Sequence, residues 1–194
     1  MKRLARVFSA LAIALILWGV WLVLAPDLIP RPAAPPVTLP QRPEARPEPP
    51  QATLQGPVDR ILIEKSARRM TVYRRGDPLK TYRIGLGFAP NGSKQRQGDG
   101  RTPEGIFRID RRNDASAYHL SLGIDYPRPE DRARARAAGV DPGGDIFIHG
   151  QPNQRPDGEV LAGDWTAGCI AVSDAEIREL FAAADLGTEV EIRP

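Results

Sequence analysis

The chain has 194 residues, enough for one domain of ordinary size plus an appendage. Its 27 Lys and Arg against 24 Asp and Glu give +3, yet residues 1–56 hold six of the basic and three of the acidic side chains, so 57–194 is neutral with 21 of each. That balance speaks against a nucleic-acid partner, which needs a basic patch on the folded domain; one Cys with two His rules out an internal disulfide framework and disfavours a structural metal site.

Lys2, Arg3 and Arg6 precede 7–25, an uncharged stretch of 19 residues that are mostly Leu, Ile, Val, Ala and Trp. At ~1.5 Å rise per residue it nearly matches a hydrocarbon core of about 30 Å. The apolar region of a signal peptide is shorter, about 7–15 residues. Val23-Leu24-Ala25 resembles a cleavage site, but Pro26 follows directly and should hinder cutting. The positive-inside rule keeps the basic end in the cytoplasm. Residues 1–25 are therefore expected to form a single, retained transmembrane signal anchor in the inner (cytoplasmic) membrane, with the remainder exported. Residues 26–56 read as a Pro-rich disordered linker. Ten of the 20 prolines lie between Pro26 and Pro50, and the stretch has no aromatic residue with which to build a core. In polyproline II form, at ~3.1 Å per residue, such a tether reaches roughly 90 Å.

From 57 onward strands dominate. Residues 60–64 and 70–73 are short apolar or alternating runs. Gly76-Asp77-Pro78 is a turn signal, so 71–74 and 79–84 form a hairpin. Residues 85–105, with six glycines and two prolines, form a long loop. Strands are expected at 105–110 and 118–125. A helix is expected over 129–138, since Pro129 suits its first turn and Gly139 its C-terminal cap. Residues 145–148 read as a buried strand. Ser173 with Glu176 forms a capping box for a second helix, which should bury Ile177, Leu180 and Phe181, run to about Asp185 and stop at Gly187. Residues 188–193 are the last strand. The domain at 57–194 is thus mainly β with two short helices.

Cys169 is the most informative residue. In an exported domain a lone thiol lives in an oxidising compartment, so its presence needs a reason. It is either a small buried hydrophobe or a nucleophile. Gly168 before it lets the backbone turn sharply, and the helix capped at Ser173 is expected to bring a positive dipole end near and lower the thiol pKa. His149 ends the apolar run Ile146-Phe147-Ile148 at the mouth of a polar loop. It is a general-base candidate or a plain hydrogen-bonded strand end. His119, inside an alternating strand, reads as structural or as a pocket wall.

Ile148-His149-Gly150, a variable loop, and Thr166-Ala167-Gly168-Cys169-Ile170-Ala171-Val172 resemble the signature of the YkuD-type L,D-transpeptidases. Gly98-Asp99-Gly100-Arg101-Thr102-Pro103-Glu104-Gly105 resembles a second stretch common in that family, and residues 60–87 resemble its opening strands. The resemblance covers about 58–193. It implies a YkuD-like β-sandwich acting on peptidoglycan stem peptides, with no cofactor, no metal, no nucleic acid and no obligate protein partner. It further implies that Cys169 is the nucleophile, His149 the base and Gly150 the carbonyl that orients it. Backbone amides of Gly168 and Cys169 would stabilise the oxyanion, about 3–4 kcal/mol per donor in other acyl-transfer enzymes. Trp165 and Thr166 would line the substrate site. Two positions depart from many members: Ala167 stands where a second His is common, and Ala171 where Arg or Asn is common. Water as acceptor, giving an L,D-carboxypeptidase or endopeptidase, and a non-catalytic wall-binding module are the other readings of the same features. A sortase-like enzyme would need a downstream Arg motif, and only Arg178 and Arg193 follow Cys169.

Overall fold

A computed structural model describes residues 53–156 and 158–194; the expected anchor and most of the linker lie outside them. Among the described residues no helix is long and apolar enough to cross a membrane. Leu54, assigned to the linker from sequence, packs against the core, and the carbonyls of Gln55 and Pro57 accept hydrogen bonds from Arg74.

Strands β1 (Val58–Glu64), β2 (Arg69–Arg74) and β3 (Asp77–Arg83) form an antiparallel meander. The turn sits one step earlier than expected, at Arg75-Gly76, because both residues take positive φ (52° and 89°), the conformation a two-residue hairpin turn demands. Pro78 therefore lies inside β3, which is an edge strand where a missing N–H breaks no ladder bond.

Strand β4 (Gly105–Ser116) is longer than the sequence suggests. Its first half pairs with β8 (Ala184–Arg193), its second half with β5 (His119–Ile124). Residues 111–114 are polar and at least partly exposed, so apolar alternation could not announce them; hairpin pairing to β5 makes them a strand. Helix α1 (Pro129–Ala137) follows, ending at Gly139 with φ 66° as expected. Then come β6 (Phe147–His149), β7 (Ile170–Ala171) and α2 (Asp174–Ala183).

Two expectations need correction. The sandwich is one continuous curled sheet of eight strands in the order β3-β2-β1-β8-β4-β5-β6-β7, with β4 shared by both halves. Its two edges are stitched together where Gly85, just past β3, exchanges hydrogen bonds of 2.9 and 2.8 Å with Ala171 on β7. Helix α2 stops at Ala183 rather than near Asp185, since Ala184 is fully buried and already pairs with Val58 on β1. Gly187, with φ 88°, lies within β8 where the register shifts, and does not cap the helix.

The core is built by the inward faces of these strands and by α2. Ile61, Ile63, Met70, Val72, Leu122, Ile124, Ile148 and Ile170 are inaccessible to solvent, as are Ile177 and Leu180 of α2. Burying each such side chain contributes about 1.5–3 kcal/mol. This rigid half of the molecule fixes where β6 and β7 present their outer faces.

Candidate active site

The site follows from strand alternation. Ile148 on β6 pairs in parallel with Ile170 on β7, and both are sealed in the core. Successive side chains point to opposite faces, so His149, the register partner of Ala171, faces the other way. Cys169 immediately precedes Ile170 and shares the face of His149. The two lie diagonally across neighbouring strands and line one cleft of about 520 Å³, with Tyr118, Asp145, Trp165 and Ala167. Residues 150–168 form the loop between them, so their sequence separation is closed by pairing.

His149 is 3% exposed. Its Nδ1 lies 2.7 Å from the carbonyl oxygen of Gly150. A carbonyl can only accept, so Nδ1 carries the hydrogen and Nε2 keeps the lone pair. Burial pushes the imidazole pKa down, and the Gly150 carbonyl partly opposes this. Gly150 is held in turn by its amide, 3.0 Å from the Tyr118 carbonyl. A side chain there would place Cβ 2.5 Å from Asp174 Oδ1 and 3.0 Å from His119 Cβ and Ile177 Cγ2, so it would have to displace the Asp174 carboxylate.

The Cys169 thiol is partly exposed and donates to the Asp145 carbonyl at 3.4 Å. Its pKa is pushed up by burial, with a further upward push from the Asp145 carboxylate; the Phe147 amide and Lys94 oppose this. The expected lowering by a helix end does not occur. Helix α2 begins only at Asp174, beyond β7, and its capping box turns Ser173 and Glu176 on each other, at 2.8 and 3.3 Å. The raised thiol pKa and the lowered imidazole pKa both favour the neutral forms over an ion pair.

The Cys box is tied internally. Thr166 Oγ1 donates to the Cys169 carbonyl at 2.7 Å and accepts from the Gly168 amide at 3.1 Å. Thr166 is also zipped to the chain at Leu86 and Phe88 by backbone bonds of 3.1 and 2.9 Å. Thr166 is therefore a strut of the loop, although it borders the cleft. The Gly168 amide, expected to face an oxyanion, is already engaged by Thr166. Gly168 has φ 138°, and a Cβ there would lie 2.6 Å from the Arg101 carbonyl oxygen. Residues 98–105 thus form the back wall of the nucleophile loop. Buried Lys94 is paired there with Asp99 at 3.0 Å.

Trp165 lines the cleft as expected, its ring 5.7 Å from that of His149. Tyr118 was not singled out from sequence, yet its ring lies 4.6 Å from the imidazole and 6.1 Å from Trp165. The only signal for it was an aromatic residue at the start of a strand. Gln151 was also missed: its Nε2 donates to the Val172 carbonyl at 2.6 Å and its Oε1 accepts from Leu161, closing the base of the 150–168 loop. His119 lies outside the cleft with its Nε2 accepting from Arg178 at 2.9 Å, which agrees with a structural role. Ala167 borders the cleft and Ala171 is buried in the sheet. Among the described residues no group of three or more His, Cys, Asp or Glu is arranged to hold a metal ion.

A family model for the L,D-transpeptidase catalytic domain, YkuD, matches residues 58–192. The chain is similar to YafK of Escherichia coli (strain K12), 29% identical over 127 residues that make up 62% of this chain and 45% of the relative. It therefore spans less than half the length of the curated relative it matches. Among solved structures it resembles the helical cell shape determining protein Pgp2 from Campylobacter jejuni, with TM-score 0.54 and 25% identity over 75% of this chain and 52% of that one. It shares the fold of Bdellovibrio bacteriovorus Bd1075, with TM-score 0.51 and 23% identity over 71% of this chain and 48% of the other.

Proposed function

The chain belongs to the YkuD family of L,D-transpeptidase catalytic domains, and from that premise we propose that it is a peptidoglycan acyltransferase with Cys169 as nucleophile and His149 as base. The observation that supports this best is the β6–β7 register, which sets sulfur and imidazole on one face of one cleft. In this reading His149 Nε2 takes the thiol proton as sulfur attacks the carbonyl of the third stem residue. The Cys169 amide faces the developing oxyanion. The imidazolium then protonates the departing D-alanine amine, and a thioester remains. An amine from a second stem peptide attacks the thioester and His149 takes its proton; the C–S bond breaks, the sulfur recovers that proton from His149, and the product is a 3→3 cross-link. The Gly150 carbonyl holds the imidazole in the required tautomer throughout. An N-terminal anchor at 1–25 and a tether at 26–56 belong to the same proposal. They would place the domain on the periplasmic side of the inner membrane and raise its effective concentration at the wall.

A second reading differs only in the acceptor. Ala167 presents no polar group to the cleft it borders, and this favours water as the resolving nucleophile, which would make the protein an L,D-carboxypeptidase. One experiment tests both. Incubation with a tetrapeptide donor, followed by intact-mass analysis, should show an adduct on Cys169 that is lost in Cys169→Ala and weakened in His149→Ala. No adduct on the unaltered protein refutes the enzyme. Products from purified sacculi then decide the acceptor: 3→3 dimers support transfer, and loss of D-alanine without dimers supports hydrolysis.

A further inference from the structure

Asp145 has a left-handed backbone, φ 53°, although it carries a side chain and leads directly into a strand. Most residues with a Cβ find this conformation costly; Asp and Asn tolerate it when local contacts hold the side chain. Here they come from β4. Arg111 Nη1 bonds the Asp145 carboxylate at 2.9 Å, Arg111 Nη2 reaches the Ile124 carbonyl at 3.4 Å, and the guanidinium lies 4.9 Å from the centre of the Phe147 ring. The Asp145 side chain is 81% exposed, so the pair adds little to global stability. The Asp145 carbonyl oxygen receives the Cys169 thiol at 3.4 Å.

We propose that Asp145 is a positioning residue for Cys169: its carbonyl, aimed by the Arg111 tie, latches the resting thiol, and the S–H must leave that carbonyl for His149 Nε2 before sulfur can attack. The latch rests on the reading of Cys169 as nucleophile. Such a device keeps the chain's single thiol protonated and unreactive until substrate fills the cleft. The charged and titratable groups facing the sulfur are Asp145 with Arg111 from β4, Lys94 with its partner Asp99 from the 85–105 loop, His149 on β6, and Tyr118 at the start of β5. Of these, only Asp145 accepts a hydrogen bond from the thiol.

The test is the rate of iodoacetamide alkylation of Cys169 in the full chain as a function of pH, followed by intact mass. In this reaction the S–C bond forms, iodide leaves and the thiol proton passes to base. Asp145→Ala removes the tie and makes the left-handed backbone unfavourable. Its alkylation midpoint should fall by about half to one pH unit, with the rate at neutral pH rising about three- to tenfold. Asn tolerates left-handed φ, and its amide oxygen still accepts from Arg111, so Asp145→Asn should stay within about twofold of the unaltered protein. Equal shifts in both variants, or none in Asp145→Ala, overturn the latch. If circular dichroism shows that Asp145→Ala does not fold, Arg111→Ala carries the test. Loss of its cation alone raises the midpoint, whereas release of the carbonyl lowers it. A lower midpoint supports the latch, and an equal or higher one overturns it. The tetrapeptide adduct is measured in the same samples. An adduct with unshifted midpoints defeats the latch alone; no adduct on the unaltered protein defeats the nucleophile and the latch with it.

Discussion

His149 takes its tautomer from the carbonyl of its own neighbour, Gly150, 2.7 Å from Nδ1. No acidic third residue is needed for Nε2 to be left as the proton acceptor. Replacement by Gln, which offers no base, should slow acylation of Cys169 by a tetrapeptide donor about 10²–10⁴-fold, with thermal unfolding little changed. Timed intact-mass spectra measure the rate, and a loss of less than tenfold would argue that another group removes the proton.

The pH profile should be broad. His149 must be neutral to act as base, and burial lowers its pKa from the usual value of 6.5, so the acid limb of acylation should lie below pH 6.5. The thiol pKa is raised from 9.0, so no thiolate-forming step should appear between those values. The same lowering bears on stability. A histidine held neutral contributes fully above its unfolded pKa and destabilises the fold as pH drops from 6.5 toward its folded value. His149→Gln should remove that part of the decline, as urea midpoints at several pH values would show.

Gly168→Ala should disable the nucleophile loop. Its φ of 138° is unfavourable for alanine, and the added Cβ would lie 2.6 Å from the Arg101 carbonyl oxygen. A cost of about 1–3 kcal/mol in stability is expected. Acylation should fall by at least about tenfold, because an ångström of misplacement is worth more than that. Melting and adduct formation on the same sample check both.

Asp99 and Lys94 hold the wall behind that loop. Burial raises the carboxyl pKa, but hydrogen bonds from the amides of Gln95, Arg96 and Arg101 and from Lys94 outweigh it and bring it from 3.8 to about 2. The stabilisation is therefore present above pH 3.8 and lost as pH falls toward 2. Asp99→Ala strands a Lys94 side chain that is 3% exposed. It should cost about 3–5 kcal/mol at neutral pH, with the difference from the unaltered protein shrinking below pH 3. Chemical denaturation at both pH values measures this.

The proposed retention of residues 1–25 as an anchor is tested by fractionation. The full chain should partition with membranes and begin upstream of Pro26. A chain starting at residue 53 should be recovered without detergent and should form the Cys169 adduct at a comparable rate. A mature N-terminus at Pro26 in the membrane fraction would refute retention.

The parts of the fold visible in the sequence were those written in local chemistry. The Ser173–Glu176 capping box, Pro129 with Gly139 around α1, and the β2–β3 hairpin each need only a few adjacent residues. Polar residues 111–114 of β4 carry no periodic signal, because pairing with β5 decides their conformation. The end of α2 was misplaced for a similar reason: Ala184 leaves the helix to pair with Val58, far away in sequence. At the site, Cys169 and His149 could be named because the chain has one Cys and two His to choose from. The roles of Thr166 and the Gly168 amide could not, since they depend on which donor meets which acceptor after folding. Tyr118 and Asp145 carry no motif; only the closure of β5 and β6 around the cleft brings them to the imidazole and the sulfur.

Cys169 and His149, the proposed nucleophile and base, are held in mutual register by the pairing of β6 with β7, and not by the loop that joins them. That loop is anchored at its ends by Gln151 and by Thr166. Within it, the exposed part around Pro156 and Val160 should therefore tolerate changes of length and sequence without shifting Cys169 or His149. Grafting alternative segments at the exposed stretch near Pro156 and Gly158 offers a way to retune which wall fragment is admitted while the acyl-transfer machinery is carried over intact.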